Sequence, residues 1–188
     1  MAVGTNLMTT EELLALPDDG VDRELIRGEL REHPTTTRSG PHCLAMANLS
    51  RLLSICVRQQ VRPRGRVYTS GVPVRIRRDP DTFVGADLVY LAPGQAARTS
   101  ASATYLDEAP AIVIEILSPN DTAEGVSEKI GEYLAAGVGQ VWVVNTFFKT
   151  VTVYRPDARP VLFNDEQELS AEPQMPGFRA PVAEVFED

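Results

Sequence analysis

The chain has 188 residues, 43% of them hydrophobic and 23% charged, with a formal net charge of −8. That is long enough for a real core, ordinary for a folded domain, and too acidic overall for a generic nucleic-acid coat protein. No apolar run approaches the roughly 20 residues of a membrane span, and the start lacks a basic region followed by an apolar one. A cytoplasmic single domain over residues 1–188 is therefore expected.

The first element is a short helix, TTEELLALP, capped by Thr9 or Thr10 and stopped at Pro17. In DRELIRGELREH, Arg27-Gly28 separates two short alternating runs and predicts a hairpin or a bulged strand. Pro41 opens a helix with a broad apolar face, Leu44 to Val57. It carries both cysteines, Cys43 and Cys56, about 20 Å apart at a helical rise. They cannot bridge each other, no zinc spacing is present, and both are expected to be reduced core residues.

GRVYTSGVPVRI and TFVGADLVYLA read as strands, and PGQAARTSASATYLDEA as a polar loop. PAIVIEILSPN follows as a strand apolar on both faces, hence central and covered on both sides. DTAEGVSEKIGEYLAAGV predicts a helix capped by Asn120 or Asp121 and ending near Gly137. Its apolar stripe is Val126, Ile130, Tyr133 and Leu134, and Glu124, Glu128 and Glu132 form its solvated row. QVWVVNTFFKTVTVYRP is a strand, a turn and a strand, and a short hairpin and tail follow. The pattern predicts an α/β architecture, a central mixed β-sheet flanked by helices. A right-handed crossover makes the Glu115 strand and QVWVV parallel.

Charge is uneven along the chain. Seven arginines (58, 62, 64, 66, 75, 77 and 78) and no acid lie between residues 58 and 78, whereas from Asp157 onward eight acids face two arginines. A basic stretch of this kind either serves a phosphate backbone or decorates a solvated strand pair. Sixteen of the eighteen basic residues are arginine, which draws notice to Lys129 and Lys149. Arginine cannot readily lose its proton, and its planar fork does not fit a site built for a compact ammonium.

Three residues carry the chemistry. Glu115 interrupts a buried strand, where a carboxylate needs a cation, a proton or an escape to water. Asp87 interrupts a second apolar strand, either as a strand-edge or turn acid after Gly85 or as a partner of Glu115. Lys129 lies at the margin of the next helix's apolar stripe. It is a snorkelling lysine or a cation delivered to Glu115. If the strands are neighbours, the two carboxylates repel, and a divalent cation with oxygen ligands resolves this. Such a cation activates water and neutralises a phosphodiester in its transition state, and a nearby lysine orients that water or stabilises the charge. No Ser-His-Asp set, Cys-His set, phosphate loop or dinucleotide fingerprint competes.

ELIRGEL, a helix opening with His42, ADLVYL, IVIEILSPN and EKIGEYLAAGVGQVWVV together resemble the Uma-type family of restriction-endonuclease-like proteins, within the PD-(D/E)XK nuclease superfamily. The resemblance runs from about Thr9 to Phe186. It implies a restriction-endonuclease-like fold with a core of about residues 9–186. It implies Asp87 and Glu115 as the motif carboxylates. The strand lysine of the superfamily pattern is absent, since Glu115-Ile116-Leu117 stands there. The resemblance places the lysine on the following helix instead, matching Lys129. Glu24, ahead of Glu29, matches a position that assists the metal site, with a salt bridge to Arg23, Arg27 or Arg31 as its ordinary role. Ala86 stands where a proline usually precedes the aspartate.

The expectation is a magnesium-dependent DNA endonuclease, with manganese as substitute metal. Asp87, Glu115 and the Ile116 carbonyl hold the metal, and Lys129 and Glu24 join the catalytic set. His42, Arg62, Arg64 and Arg66 are the candidate nucleic-acid contacts. A homodimer would suit cutting of both strands, and no membrane partner is expected. One alternative is a non-catalytic binding or interaction module that kept the fold, which the acidic charge favours. Another is a structural domain with an arginine against both Asp87 and Glu115.

Overall fold

The computed structural model describes residues 7–34 and 38–187. Thr9 caps helix α1 (Thr10–Leu14) in a reciprocal capping box with Glu12. Strands β1 (Val21–Ile26) and β2 (Glu29–Pro34) form the predicted hairpin. Its two turn residues, Arg27 and Gly28, have φ of 52° and 79°. This double left-handed turn matches strand twist, and glycine meets half of it without strain. Ser39 caps α2 (Gly40–Gln59), and its side chain accepts from the His42 N–H. Then come β3 (Arg66–Arg77), β4 (Thr82–Leu91), α3 (Pro93–Arg98), β5 (Ile112–Ile116), α4 (Ala123–Ala135), β6 (Gln140–Asn145), β7 (Thr150–Arg155), β8 (Ala158–Phe163), and the small pair β9 (Glu168–Ser170) and β10 (Arg179–Pro181).

The main sheet has eight strands, ordered β2-β1-β4-β5-β6-β7-β8, with β3 also paired to β4. It is mixed, as expected: β5 and β6 are parallel across the α4 crossover, and the other pairs are antiparallel. Alternation along β5 divides the interior. Ile112, Ile114 and Ile116 pack with Ala45, Leu49 and Leu53 of α2 and with the C-terminal segment. Val113 packs on the opposite face with Ile130 and Tyr133 of α4. The central strand is thus covered on both sides. Among the described residues no helix is long and apolar enough to cross a membrane.

Four expectations need correction. Residues 93–109 are not only loop, because Pro93 starts the short helix α3. The cap of α4 is Thr122, whose hydroxyl accepts the Gly125 N–H; Asp121 instead accepts the Ser118 N–H. Cys43 is exposed and Cys56 only half-buried, so neither is a fully buried core residue, although both are free thiols. Glu132 is not solvated. It is 4% exposed beneath Arg27 and Arg77, with Thr82 donating to it, because the β1–β2 turn folds over that flank of α4.

Candidate active site

The site is built at a fork in the sheet. β3 occupies one edge of β4 along almost its whole length. β1 and β5 must therefore share the other edge, β1 meeting it at Phe83 and β5 at Leu88–Tyr90. Between those contacts β4 has no strand neighbour on that edge, and side chains take over the pairing. Gly85 N–H donates to Glu24 Oε1 at 3.0 Å, and the Gly85 carbonyl accepts from Lys129 Nζ at 3.1 Å. Asp87 Oδ2 accepts the Ile116 N–H at 2.9 Å. The gap thus draws in a carboxylate from each of the three strands that border it.

Asp87 and Glu115 are facing residues, since one further step in the Leu88↔Ile114 register sets them opposite each other. Lys129 reaches in from α4, with Nζ 3.0 Å from Glu24 Oε1 and 3.2 Å from Glu115 Oε1. All three side chains are largely buried, so the ammonium offsets carboxylates that water cannot fully solvate. One helical turn on, Tyr133 donates its hydroxyl to Glu115 Oε1 at 2.6 Å. Tyr133 was legible only as part of the apolar stripe; its i+4 spacing from Lys129 was the available signal.

Protonation follows from burial. Removal from water pushes the Glu115 carboxyl up to about 7; Lys129 opposes the rise, Asp87 adds to it, and the Tyr133 hydroxyl opposes it. Burial alone would lower the Lys129 ammonium, but Glu115 and Glu24 outweigh it and raise its pKa above the ordinary lysine value. Lys129 is therefore a cation at neutral pH. Burial and the neighbouring Glu115 carboxylate raise the Tyr133 hydroxyl well above its usual range, so it stays a donor.

Asp87 has a second set of neighbours. Arg38 Nη2 and His42 Nε2 each lie 3.4 Å from Oδ1. His42 is 3% exposed and neither ring nitrogen has a hydrogen-bond partner. It faces the site's aspartate and is too enclosed for a surface contact. Arg38 carried no signal in the sequence. Glu29 points elsewhere, pairing with Arg31 at 3.1 Å. The structural alternative is met at one carboxylate only: Arg38 stands by Asp87, but among the described residues no arginine pairs with Glu115.

The basic run does not gather at the site. Arg75 is buried against Asp107 and Glu11, Arg77 pairs with Glu132 and Arg78 with Asp107. Arg62, Arg64 and Arg66 are exposed. Arg66 faces Leu91, four residues along β4 from Asp87, or about 13 Å at strand rise.

The donor set fits a hard divalent cation. Asp87 and Glu115 offer carboxylate oxygens, and the Tyr133 hydrogen bond engages only Oε1 of Glu115. A strand residue's N–H and C=O leave on the same edge, so the Ile116 carbonyl faces the fork with its N–H. Among the described residues, no cluster of three or more acidic, histidine or cysteine side chains forms an all-side-chain cage. Magnesium usually takes one or two carboxylates and keeps several waters.

Comparison with known proteins bears on the fold and the family. No curated protein matches the chain. Among solved structures, it is similar to a putative nuclease belonging to DUF820 from Anabaena variabilis ATCC 29413, with 21% identity, a TM-score of 0.80, and coverage of 95% of this chain and 97% of that one. That likeness shows a shared fold, the α/β architecture with a central mixed sheet flanked by helices expected from the sequence. Residues 10–183 match the Uma2 family, described as "Putative restriction endonuclease", and the chain belongs to that family.

Proposed function

We propose that the chain is a metal-dependent endonuclease that hydrolyses DNA phosphodiester bonds at the β1–β4–β5 fork. The observation that carries this reading is the position of Lys129. A helix-borne ammonium reaches a strand glutamate at 3.2 Å beside a facing aspartate, which replaces the lysine missing from the strand.

Asp87, Glu115 and the Ile116 carbonyl would hold Mg²⁺, with Mn²⁺ as substitute. The ion supplies charge neutralisation at the scissile phosphate and Lewis-acid activation of water. Lys129, charged at neutral pH, acts as a donor and not as a base. Its contacts to Glu24 and the Gly85 carbonyl fix the ammonium, and the longest contact, to Glu115, is the one a substrate oxygen displaces. It thereby meets negative charge developing on the phosphate oxygens. Glu24 positions the lysine. Tyr133 holds Glu115 in one rotamer, and His42 and Arg38 border Asp87. Arg62, Arg64 and Arg66 would contact flanking backbone, about four nucleotides from the scissile bond at roughly 3.4 Å per nucleotide. Two copies would place two sites for cutting both strands.

The test is incubation of supercoiled plasmid and single-stranded circular DNA at low salt with Mg²⁺, Mn²⁺ or EDTA. Nicking in either metal and none in EDTA supports the reading. Metal binding without cleavage of any nucleic acid moves the chain to a binding module that kept the fold.

A further inference from the structure

We infer that the β6–β7 turn stacks on unpaired bases, so that the substrate class of the site is nucleic acid with single-stranded or locally opened bases. This rests on the nuclease reading and deepens it.

The turn is Asn145-Thr146-Phe147-Phe148-Lys149-Thr150. Phe147 is 86% and Phe148 69% exposed. Two adjacent large aromatic rings left this open make a local apolar patch and not a lone exposed side chain. The rings do not flop on a loose loop. Asn145 Oδ1 accepts the N–H groups of both Phe147 and Phe148 at 3.1 Å, and Lys149 closes the turn with φ of 51°. The two rings meet edge to face, centroids 4.9 Å apart and planes at 88°. Ring faces held open on a fixed turn are what base stacking requires.

Place and charge select the ligand. β5 and β6 run parallel with Ile116 beside Val144, so the turn leaves the end of the sheet that carries Glu115. Phe147 and Phe148 follow Val144 by three and four residues, within about 10–13 Å along the chain. Phe148 also lines a groove with Leu117, Ser118 and Asp121, the segment that follows Glu115. A strand with its phosphate at Glu115 thus passes the turn within a few nucleotides. Lys149 is exposed and among the described residues makes no ion pair, leaving a free cation for the backbone next to the rings. A second copy of the chain is the competing occupant. Leu162 of the adjoining edge strand β8 lines the same groove, but a stable interface covers about 800 Å² per partner, and β8 carries Pro160, a residue that blunts edge pairing.

The experiment compares wild type, Phe147→Ala/Phe148→Ala and Phe148→Trp. Anisotropy of a labelled single-stranded oligonucleotide and its blunt duplex is read at low salt, in EDTA and again in Ca²⁺, with sedimentation and plasmid nicking in parallel. The double alanine variant is expected to bind the single strand about tenfold or more weakly and the duplex within about twofold of wild type. Phe148→Trp is expected to keep wild-type affinity, and its indole emission to be quenched by the oligonucleotide over a constant signal from the buried Trp142. Unchanged single-strand affinity in the alanine variant overturns the inference, as does conversion of a wild-type dimer to monomer by those substitutions. If wild type still nicks plasmid in those cases, only the stacking inference falls. If wild type neither binds nor cuts any nucleic acid, the proposed function falls with it.

Discussion

Lys129 Nζ lies 3.2 Å from Glu115 Oε1, joining a helix to the central strand that precedes it. Replacing the lysine by methionine keeps its length and removes the charge. Lys129→Met is expected to lower nicking by about 10²–10³-fold, the size seen when one preorganised electrostatic donor is lost. It also leaves two buried carboxylates without their cation. Stability should fall on the order of 3 kcal/mol, more at pH 8 than at pH 6 because Glu115 is then charged. Denaturant unfolding at the two pH values checks this.

Tyr133→Phe removes only the hydroxyl that donates to Glu115 at 2.6 Å. The expected loss is about 1 kcal/mol of stability and about tenfold in nicking rate. Adding metal should recover part of the rate, because the carboxylate is mispositioned and not absent. A metal titration of the rate separates this variant from Lys129→Met, which excess metal should not rescue.

Glu115 gives the metal-free protein a distinctive pH response. Its folded pKa, about 7, exceeds the ordinary value of 4.5. The folded chain then holds a proton that the unfolded chain releases. The contribution to stability is full below about pH 4.5 and is lost as pH rises to about 7. A divalent cation must displace that proton. Affinity for Mg²⁺ should therefore rise by up to about tenfold per unit between pH 5 and 7 and level off above. Calorimetry in buffers of different ionisation enthalpy should report proton release at pH 6 and little at pH 8. Glu115→Gln should abolish the release.

Arg75 tests a part of the structure with no role in cleavage. Its buried guanidinium is bidentate to Asp107, bonds Glu11 and lies 5.2 Å from the Tyr105 ring centroid. Arg75→Lys loses the planar fork and is expected to cost on the order of 2–3 kcal/mol while leaving nicking unchanged well below the melting temperature. The Arg75 hydrogen bonds hold Asp107 below its ordinary range. Burial pushes Asp81 the other way, but the Thr10 hydroxyl and N–H prevail. Both acids therefore contribute stability above pH 3.8 that is lost as pH falls through their lower folded values. An acid-unfolding curve should lose part of the Asp107 component in Arg75→Lys and keep that of Asp81, which the Thr10 contacts set.

The site residues that were legible from sequence are those that break a pattern. Asp87 and Glu115 interrupt apolar strands, and Lys129 sits at the margin of an apolar stripe, so each stood out against its neighbours. Glu24 did not stand out, because an alternating hairpin carries many charges, and the resemblance singled it out. Tyr133 satisfies the stripe and the site at once, so periodicity hid its second role. Glu132 looked solvated because its cover, Arg27, comes from a hairpin 105 residues away, and no local pattern records such a contact. The run of arginines was visible, but strand direction decided its use: β3 carries Arg75 into the core and leaves Arg66 at the far end of β4.

The most direct measurement is the rate of supercoiled-plasmid nicking in Mg²⁺ by wild type, Asp87→Asn and Lys129→Met, with Mg²⁺ binding measured on the same preparations. The account predicts nicking by wild type alone, binding lost in Asp87→Asn, and binding retained in Lys129→Met. Nicking that survives in both variants, or a wild type that binds Mg²⁺ no better than Asp87→Asn, would contradict it.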